Sequence, residues 1–181
     1  MRVARIRIGH FRGYRHAALV VPENMVLAGE PQAGRTDIVE ALRRVLDARS
    51  TRSRVNPLDV YRPADGDEET LTEVEVTLLD LGEDLETLLS ENLETFDRAT
   101  GEMATPSNAG DAVLGVRLCY RARYDLDTDT GEHWVDYPAR SDPAAGVFKR
   151  ASRIERESLP VQFVDSAPAL HAADCGQRDR T

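Results

Sequence analysis

The chain has 181 residues, 41% of them hydrophobic and 30% charged, enough for one domain with a real core and an ordinary balance for a globular protein. No apolar run reaches bilayer length, and the first residues lack the continuous apolar stretch of a signal peptide; this excludes a helical membrane protein and predicts a cytoplasmic one. A net charge of −9 excludes a surface that binds DNA over most of its area, because phosphate contacts need clustered cations.

Val3, Arg5 and Arg7 alternate with Ala4, Ile6 and Ile8, the period-two pattern of a half-buried strand. His10-Phe11-Arg12-Gly13-Tyr14 breaks the alternation as a turn, and residues 18–21 read as a second strand stopped by Pro22. Residues 25–28 form a short apolar run that ends at Gly29, which suits a strand buried on both faces. Residues 29–36 are loop by composition. Ile38, Val39, Ala41, Leu42, Val45 and Leu46 then make one apolar stripe at helical spacing. Thr36 or Asp37 can cap this helix, and Arg43, Arg44 and Arg49 favour its C-terminal end.

Residues 48–69 are polar and rich in Pro, Asp and Arg, and read as a loop. Val74, Val76 and Leu78 alternate with Glu73, Glu75 and Thr77, predicting an edge strand. Leu81, Leu85, Leu88, Leu89, Leu93 and Phe96 recur at helical spacing with acids opposite, predicting a helix over 81–96. After a small-residue loop at 100–111, Val116, Leu118, Tyr120, Ala122, Tyr124 and Leu126 form the longest alternation, and residues 133–137 return across a turn at 127–131 as a hairpin. A polar stretch at 139–158 leads to a further apolar run at 161–164, which predicts another buried strand. The division expected is one domain over 1–170 and a disordered tail over 171–181.

Charge is segregated along the chain. Residues 1–54 carry 11 arginines against 5 acids, giving +6, whereas residues 55–136 carry 5 against 21, giving −16. The basic segment can therefore face phosphates. Lys149 is the single lysine, so an arginine at any one position carries less weight than usual. Cys119 and Cys175 stand far apart and read as two free thiols. Tyr120, Tyr124, Trp134 and Tyr137 read as hairpin packing rather than a base-stacking platform, and Asp125, Asp127 and Asp129 as a turn rather than a calcium loop. His10 and His16 read as surface residues.

Gly29-Glu30-Pro31-Gln32-Ala33-Gly34-Arg35-Thr36 matches the phosphate-loop pattern G-x-x-x-x-G-K-[ST] except at the lysine. The chemistry fits each position. Gly29 and Gly34 permit a tight backbone path close to phosphate oxygens, and free amides at the helix start attract the anion. Thr36 can place its hydroxyl on Mg²⁺. Arg35 takes the lysine's place at the β- and γ-phosphates, but a planar guanidinium is wider than an ammonium, so binding is expected to weaken and hydrolysis to suffer more.

Around this loop the chain resembles the RecF-, SMC- and OLD-type ATPases. Arg5-Ile6-Arg7-Ile8-Gly9-His10-Phe11-Arg12-Gly13-Tyr14 is similar to their opening I-x-I-x-N-F-R-G strand, Met25-Val26-Leu27-Ala28-Gly29-Glu30 to their approach to the P-loop, and Asp37-Ile38-Val39-Glu40-Ala41-Leu42 to the helix after it. The likeness is specific over 1–47 and looser beyond. It implies an α/β fold: the N-terminal lobe of an ABC-type P-loop NTPase, a mixed or antiparallel sheet around the P-loop helix, with the second lobe missing. It implies ATP and Mg²⁺ as cofactors, a nucleotide site formed by Arg12, Gly29, Glu30, Pro31, Gln32, Ala33, Gly34, Arg35, Thr36 and Asp37, and Thr36 and Gln162 as metal ligands. As partners it implies a second copy of the chain or a completing ATPase or nuclease chain, with DNA only indirectly.

The family's Ser-Gly-Gly signature is absent. Phe163-Val164-Asp165-Ser166 superficially resembles a Walker B strand but lacks the glutamate that activates water, and nothing supplies an acidic nuclease domain. The chain alone is therefore not expected to hydrolyse ATP or cleave DNA. Two other readings stand beside this one: a degenerate, non-hydrolysing interaction module, and a truncated gene product. An incomplete lobe also predicts an exposed apolar edge and concentration-dependent association.

Overall fold

The computed structural model describes residues 1–61, 71–106, 109–125 and 127–164. Residues 62–69 of the loop read at 48–69, together with Thr70, Leu126, Asp165, Ser166, Cys175 and the tail at 171–181, lie outside them.

The strand at the start of the chain forms where the alternation is unbroken. Strand β1 (Arg2–Phe11) buries Ile6 and Ile8 in the main core and turns Arg5 and Arg7 to the other face, while an irregularity in register between Val3 and Arg5 leaves Val3 against the main core and puts Ala4 in a small separate cluster with Leu79 and Phe96. A tight turn at Arg12-Gly13 returns the chain as β2 (Tyr14–Val20), paired antiparallel to β1. Four more strands complete one antiparallel sheet: β3 (Thr72–Leu79), β4 (Glu94–Asp97), β5 (Ala112–Asp125) and β6 (Thr130–Asp136). Their order is β2-β1-β3-β5, and the free side of the long β5 is shared between β4 at its start and β6 at its end. The fold is thus an α/β arrangement with an antiparallel sheet and few helices.

Helix α1 (Arg35–Leu46) lies across β1, β3 and β5, and its Ile38, Ala41, Val45 and Leu46 meet Ile6, Ile8, Val74, Val76, Leu118 and Tyr120. Short helices α2 (Glu83–Leu88) and α3 (Arg153–Glu157) add Leu81, Leu85, Leu89 and Leu159 to the same core. Tyr120, Tyr137 and Trp134 are buried in the hairpin region, so the aromatic residues there serve packing. Asp125 accepts hydrogen bonds from the amides of Asp127 and Thr128, which closes the β5–β6 turn.

The other face of the sheet is polar and ion-paired. Arg117 binds Glu94 at 2.6 Å and Glu75 at 3.3 Å; Arg7 reaches Glu75 at 3.5 Å; and Arg121 binds Asp136 at 2.7 Å and also contacts Glu73. Four expectations change accordingly. Strand β3 is central rather than an edge, because its outward glutamates face arginines of its neighbours instead of water. The helix expected over 81–96 ends at Leu88, since a 3₁₀ turn at Ser90–Asn92 leads into β4, where pairing with β5 buries Phe96 in a strand. Residues 25–28 form no strand: no described neighbour offers them a ladder, Val26 is 90% exposed, and only Leu27 leans on the core. Residues 161–164 form no buried strand either: Val161 and Phe163 lean on the core, but the run has no ladder partner among the described residues and Val164 is 84% exposed.

Candidate phosphate-binding loop

The loop at 29–34 starts where residues 25–28 leave the body of the protein, and it ends on α1. Its backbone alternates in hand. Gln32 has φ 68° and Gly34 φ 79°, both left-handed, with Ala33 between them and helical Arg35 after. Such alternation turns successive N–H groups toward one centre, making a nest that attracts anions. Gly34 is the N-cap of α1 and no side chain caps the helix, so neither Thr36 nor Asp37 takes the expected capping role. The amides of Asp37 and Ile38 turn back to the Gly34 carbonyl at 3.0 and 3.2 Å, and the Ala33 amide closes a turn on Glu30 at 3.1 Å. The positive end of the α1 dipole therefore opens into a hollow of about 310 Å³ lined by Gln32, Ala33, Gly34, Arg35, Thr36 and Asp37.

Gly29, Glu30, Pro31, Gln32, Ala33, Arg35 and Thr36 are exposed. Arg35 doubles back along the loop: a Cβ built on Gly29 would lie 3.8 Å from the Arg35 Cδ and 3.0 Å from the Ala33 Cβ. Arg35 makes no ion pair among the described residues. Its charge is free to meet an anion in the nest.

Arg12 reaches the same helix end. Its Nη1 donates to Asp37 Oδ1 at 3.1 Å, its Nε donates to Asp59 Oδ1 at 2.8 Å, and Nη2 lies 4.0 Å from Glu40. Burial draws the Arg12 pKa down, but the hydrogen bonds and charges of Asp59 and Asp37 outweigh it and hold the group above its ordinary value. Asp59 is fully buried, and its other oxygen lies 2.7 Å from Nε of Arg44. Tyr14 packs against the loop from the sheet side, donating its hydroxyl to the Gly34 carbonyl at 3.3 Å. Gln162 is exposed on the extended segment at 160–164 and does not line the hollow.

The structure thus brings Arg12 and Asp37 together at the loop and leaves Gln162 elsewhere. Sequence reasoning missed Asp59, which follows Asn56-Pro57-Leu58 in a polar loop with no periodic signal. The cue was a turn-capping Asn before Pro: the Asn56 side chain accepts from the Leu58 amide at 3.0 Å and shapes the 3₁₀ turn that carries Asp59.

No family model and no curated protein matches the sequence. Among solved structures the chain is similar to one from work on the structural biochemistry of ATP-driven dimerization and DNA-stimulated activation of SMC ATPases. The identity is 14% and the TM-score 0.43, over 85% of this chain and 74% of that one.

Proposed function

We propose that this chain binds ATP with Mg²⁺ at the loop formed by Gly29, Glu30, Pro31, Gln32, Ala33, Gly34, Arg35 and Thr36. One observation carries the reading: the left-handed backbone at Gln32 and Gly34, opening onto an uncapped helix start, is a polyanion cradle. The donor set fits the group. Amides of the loop hold phosphate oxygens, Arg35 supplies charge to the terminal phosphates, and the exposed Thr36 hydroxyl suits a hard cation that prefers oxygen ligands. Arg12 adds a second guanidinium beside Asp37 at the edge of the hollow. Gln162 is assigned to the metal on sequence grounds alone.

Mg²⁺ neutralises phosphate charge when bound. What the chain's own residues do is bind and orient. Among the described residues no acid stands in the hollow to activate water except Asp37, whose carboxylate is occupied by Arg12. Turnover accordingly belongs to an assembly, in which a second copy or a completing ATPase or nuclease chain closes the site, with DNA as the distant substrate in repair or phage defence.

The test is calorimetric titration of the purified protein with Mg-ATP beside Arg35→Ala. Binding by the wild type and loss of at least about tenfold in affinity in the variant is expected, the scale of one or more charge-assisted hydrogen bonds. Absence of binding by the wild type rejects the proposal. Arg35→Lys tests the pocket's shape: an ammonium fits a nest built for lysine, so affinity should rise.

A further inference from the structure

Arg12 is held by more than a phosphate-binding role requires. Its backbone is left-handed, φ 49°, a conformation unfavourable for a non-glycine residue that persists only when its surroundings impose it. Asp59 imposes it twice over. The Arg12 amide donates to the Asp59 carbonyl at 3.1 Å, and the Arg12 Nε donates to the Asp59 carboxylate at 2.8 Å. The neighbouring Phe11–Val60 bridge and the Tyr61 amide on the His10 carbonyl at 3.0 Å keep the two segments in register.

The consequence lies in how the guanidinium is divided. Its Nε edge faces Asp59, which is fully buried and locked from the far side by Arg44. Its Nη edge faces the start of α1, where Asp37 takes the hydrogen bond from Nη1 at 3.1 Å. Asp37 differs from Asp59 in every respect that governs exchange: its side chain is 28% exposed, it lines the hollow, and it sits on the first helical turn where a phosphate would be drawn. A carboxylate and a phosphate oxygen ask the same thing of a guanidinium, a bidentate or single charge-assisted hydrogen bond.

We propose that Asp59 is the positioning residue that aims Arg12 at the phosphate loop, and that Asp37 holds on Arg12 the place a phosphate oxygen takes when nucleotide binds. Nucleotide binding then proceeds by exchange: the Nη edge leaves Asp37 for phosphate while Asp59 keeps Nε. This rests on the reading of the loop as an ATP site and adds to it a built-in competitor that lowers resting affinity and a buried anchor that raises it.

Two isosteric variants of the same network must then act in opposite directions, which a merely structural role does not produce. Mg-ATP titration of the full chain should show Asp59→Asn weakening binding about tenfold or more and Asp37→Asn strengthening it about threefold to tenfold, the scale of one charge-assisted hydrogen bond lost or released. Adding Asp59→Asn to Arg12→Ala should cost nothing further, because the anchor acts only through Arg12. Asp37→Asn decides on its own if Asp59→Asn does not fold, since it leaves the Asp59 ion pairs in place. Affinity unchanged or lowered in Asp37→Asn overturns the assignment, as does an Asp59→Asn protein that folds and binds like the wild type. Failure of the wild type to bind Mg-ATP at all is a different outcome, rejecting the nucleotide site and this inference with it.

Discussion

Gly34 is the residue on which the loop's geometry turns. Its φ of 79° is left-handed, and a Cβ there would lie 2.5 Å from the Tyr14 hydroxyl and 3.0 Å from its Cζ. Two separate penalties follow from adding one methyl group: backbone strain of about 1–2 kcal/mol, and displacement of the Tyr14 ring from the loop. Gly34→Ala is therefore expected to lower unfolding stability in urea by at least about 1 kcal/mol and to abolish Mg-ATP binding, because relief of the strain destroys the nest. Combining it with Tyr14→Ala removes the clash but leaves the φ. Stability should then fall less than the two single effects added together, while binding stays lost. A Gly34→Ala protein as stable as the wild type would refute the left-handed assignment. The neighbouring Arg35 shows what sequence alone can and cannot tell. Its position in the motif was legible, but in a chain with a single lysine its identity said little. Its path back over Gly29 and its lack of an ion-pair partner among the described residues say more.

Helix α1 has two unlike ends, and the contrast is chemical. Its start is left open to solvent. Its last carbonyls, which no helix can satisfy internally, are gathered by one buried guanidinium from α3. Arg156 Nε donates to the Val45 carbonyl at 3.1 Å, and Nη2 to the carbonyls of Arg44 at 3.2 Å and Asp47 at 2.5 Å. Nη2 also reaches Ser50 Oγ at 2.9 Å, sharing its two hydrogens among three acceptors, and Nη1 donates to Thr51 Oγ1 at 3.0 Å. Burial pushes the Arg156 pKa down to about 10, so the group remains charged near neutrality. Arg156→Met keeps much of the packing and deletes every one of these bonds. It is expected to cost about 2–4 kcal/mol, with faster hydrogen exchange confined first to the last turn of α1; a loss below about 0.5 kcal/mol would show the carbonyls finding other donors. Of the arginines expected to favour this helix end, Arg43 and Arg44 do lie in the last turn, and they also pair with carboxylates, Arg43 with Glu40 and Arg44 with Asp59. A cap supplied from more than a hundred residues away leaves no local pattern to read. The β5–β6 hairpin, whose partners are local, was legible from alternation and turn residues; β1 was legible over 3–8, but the turn read at 10–14 is Arg12-Gly13 alone and β2 begins at Tyr14 rather than at 18. The apolar runs at 25–28 and 161–164 lack a ladder among the described residues, because pairing is a property of neighbours and not of the run itself.

Across the whole molecule the segregation of charge along the chain disappears. Arginines of the basic first segment lie against acids of the next: Arg2 at Asp80, Arg5 at Glu102, Arg7 at Glu75, Arg12 and Arg44 at Asp59. Composition showed two segments of opposite sign, and the fold sets arginines of the first against acids of the second, Arg5 and Arg7 on the polar face of the sheet and Arg12 and Arg44 beside α1. The two segments also meet through His133, which joins the β5–β6 hairpin to the segment after α1. Its Nε2 lies 3.0 Å from the Ser53 carbonyl and its Nδ1 3.1 Å from the Tyr120 hydroxyl. A neutral imidazole satisfies both, with Nε2–H donating and Nδ1 accepting from Tyr120. Burial is the main reason its pKa sits below the ordinary 6.5; the positive charges of Arg44 and Arg156 add to the shift, and the Ser53 hydrogen bond and Asp59 oppose it. With the folded value depressed, the unfolded chain binds the proton first. The His133 contribution is whole above pH 6.5 and is lost as pH falls through the folded value. Unfolding free energies of the wild type and His133→Gln, measured in urea at steps from about pH 7.5 to about pH 5.5, should therefore converge as pH falls, since only histidine titrates there. A gap between the two proteins that stays constant over that range would mean that His133 keeps its proton balance on folding, and that the contacts with Ser53 and Tyr120 hold the charged ring as well as the neutral one.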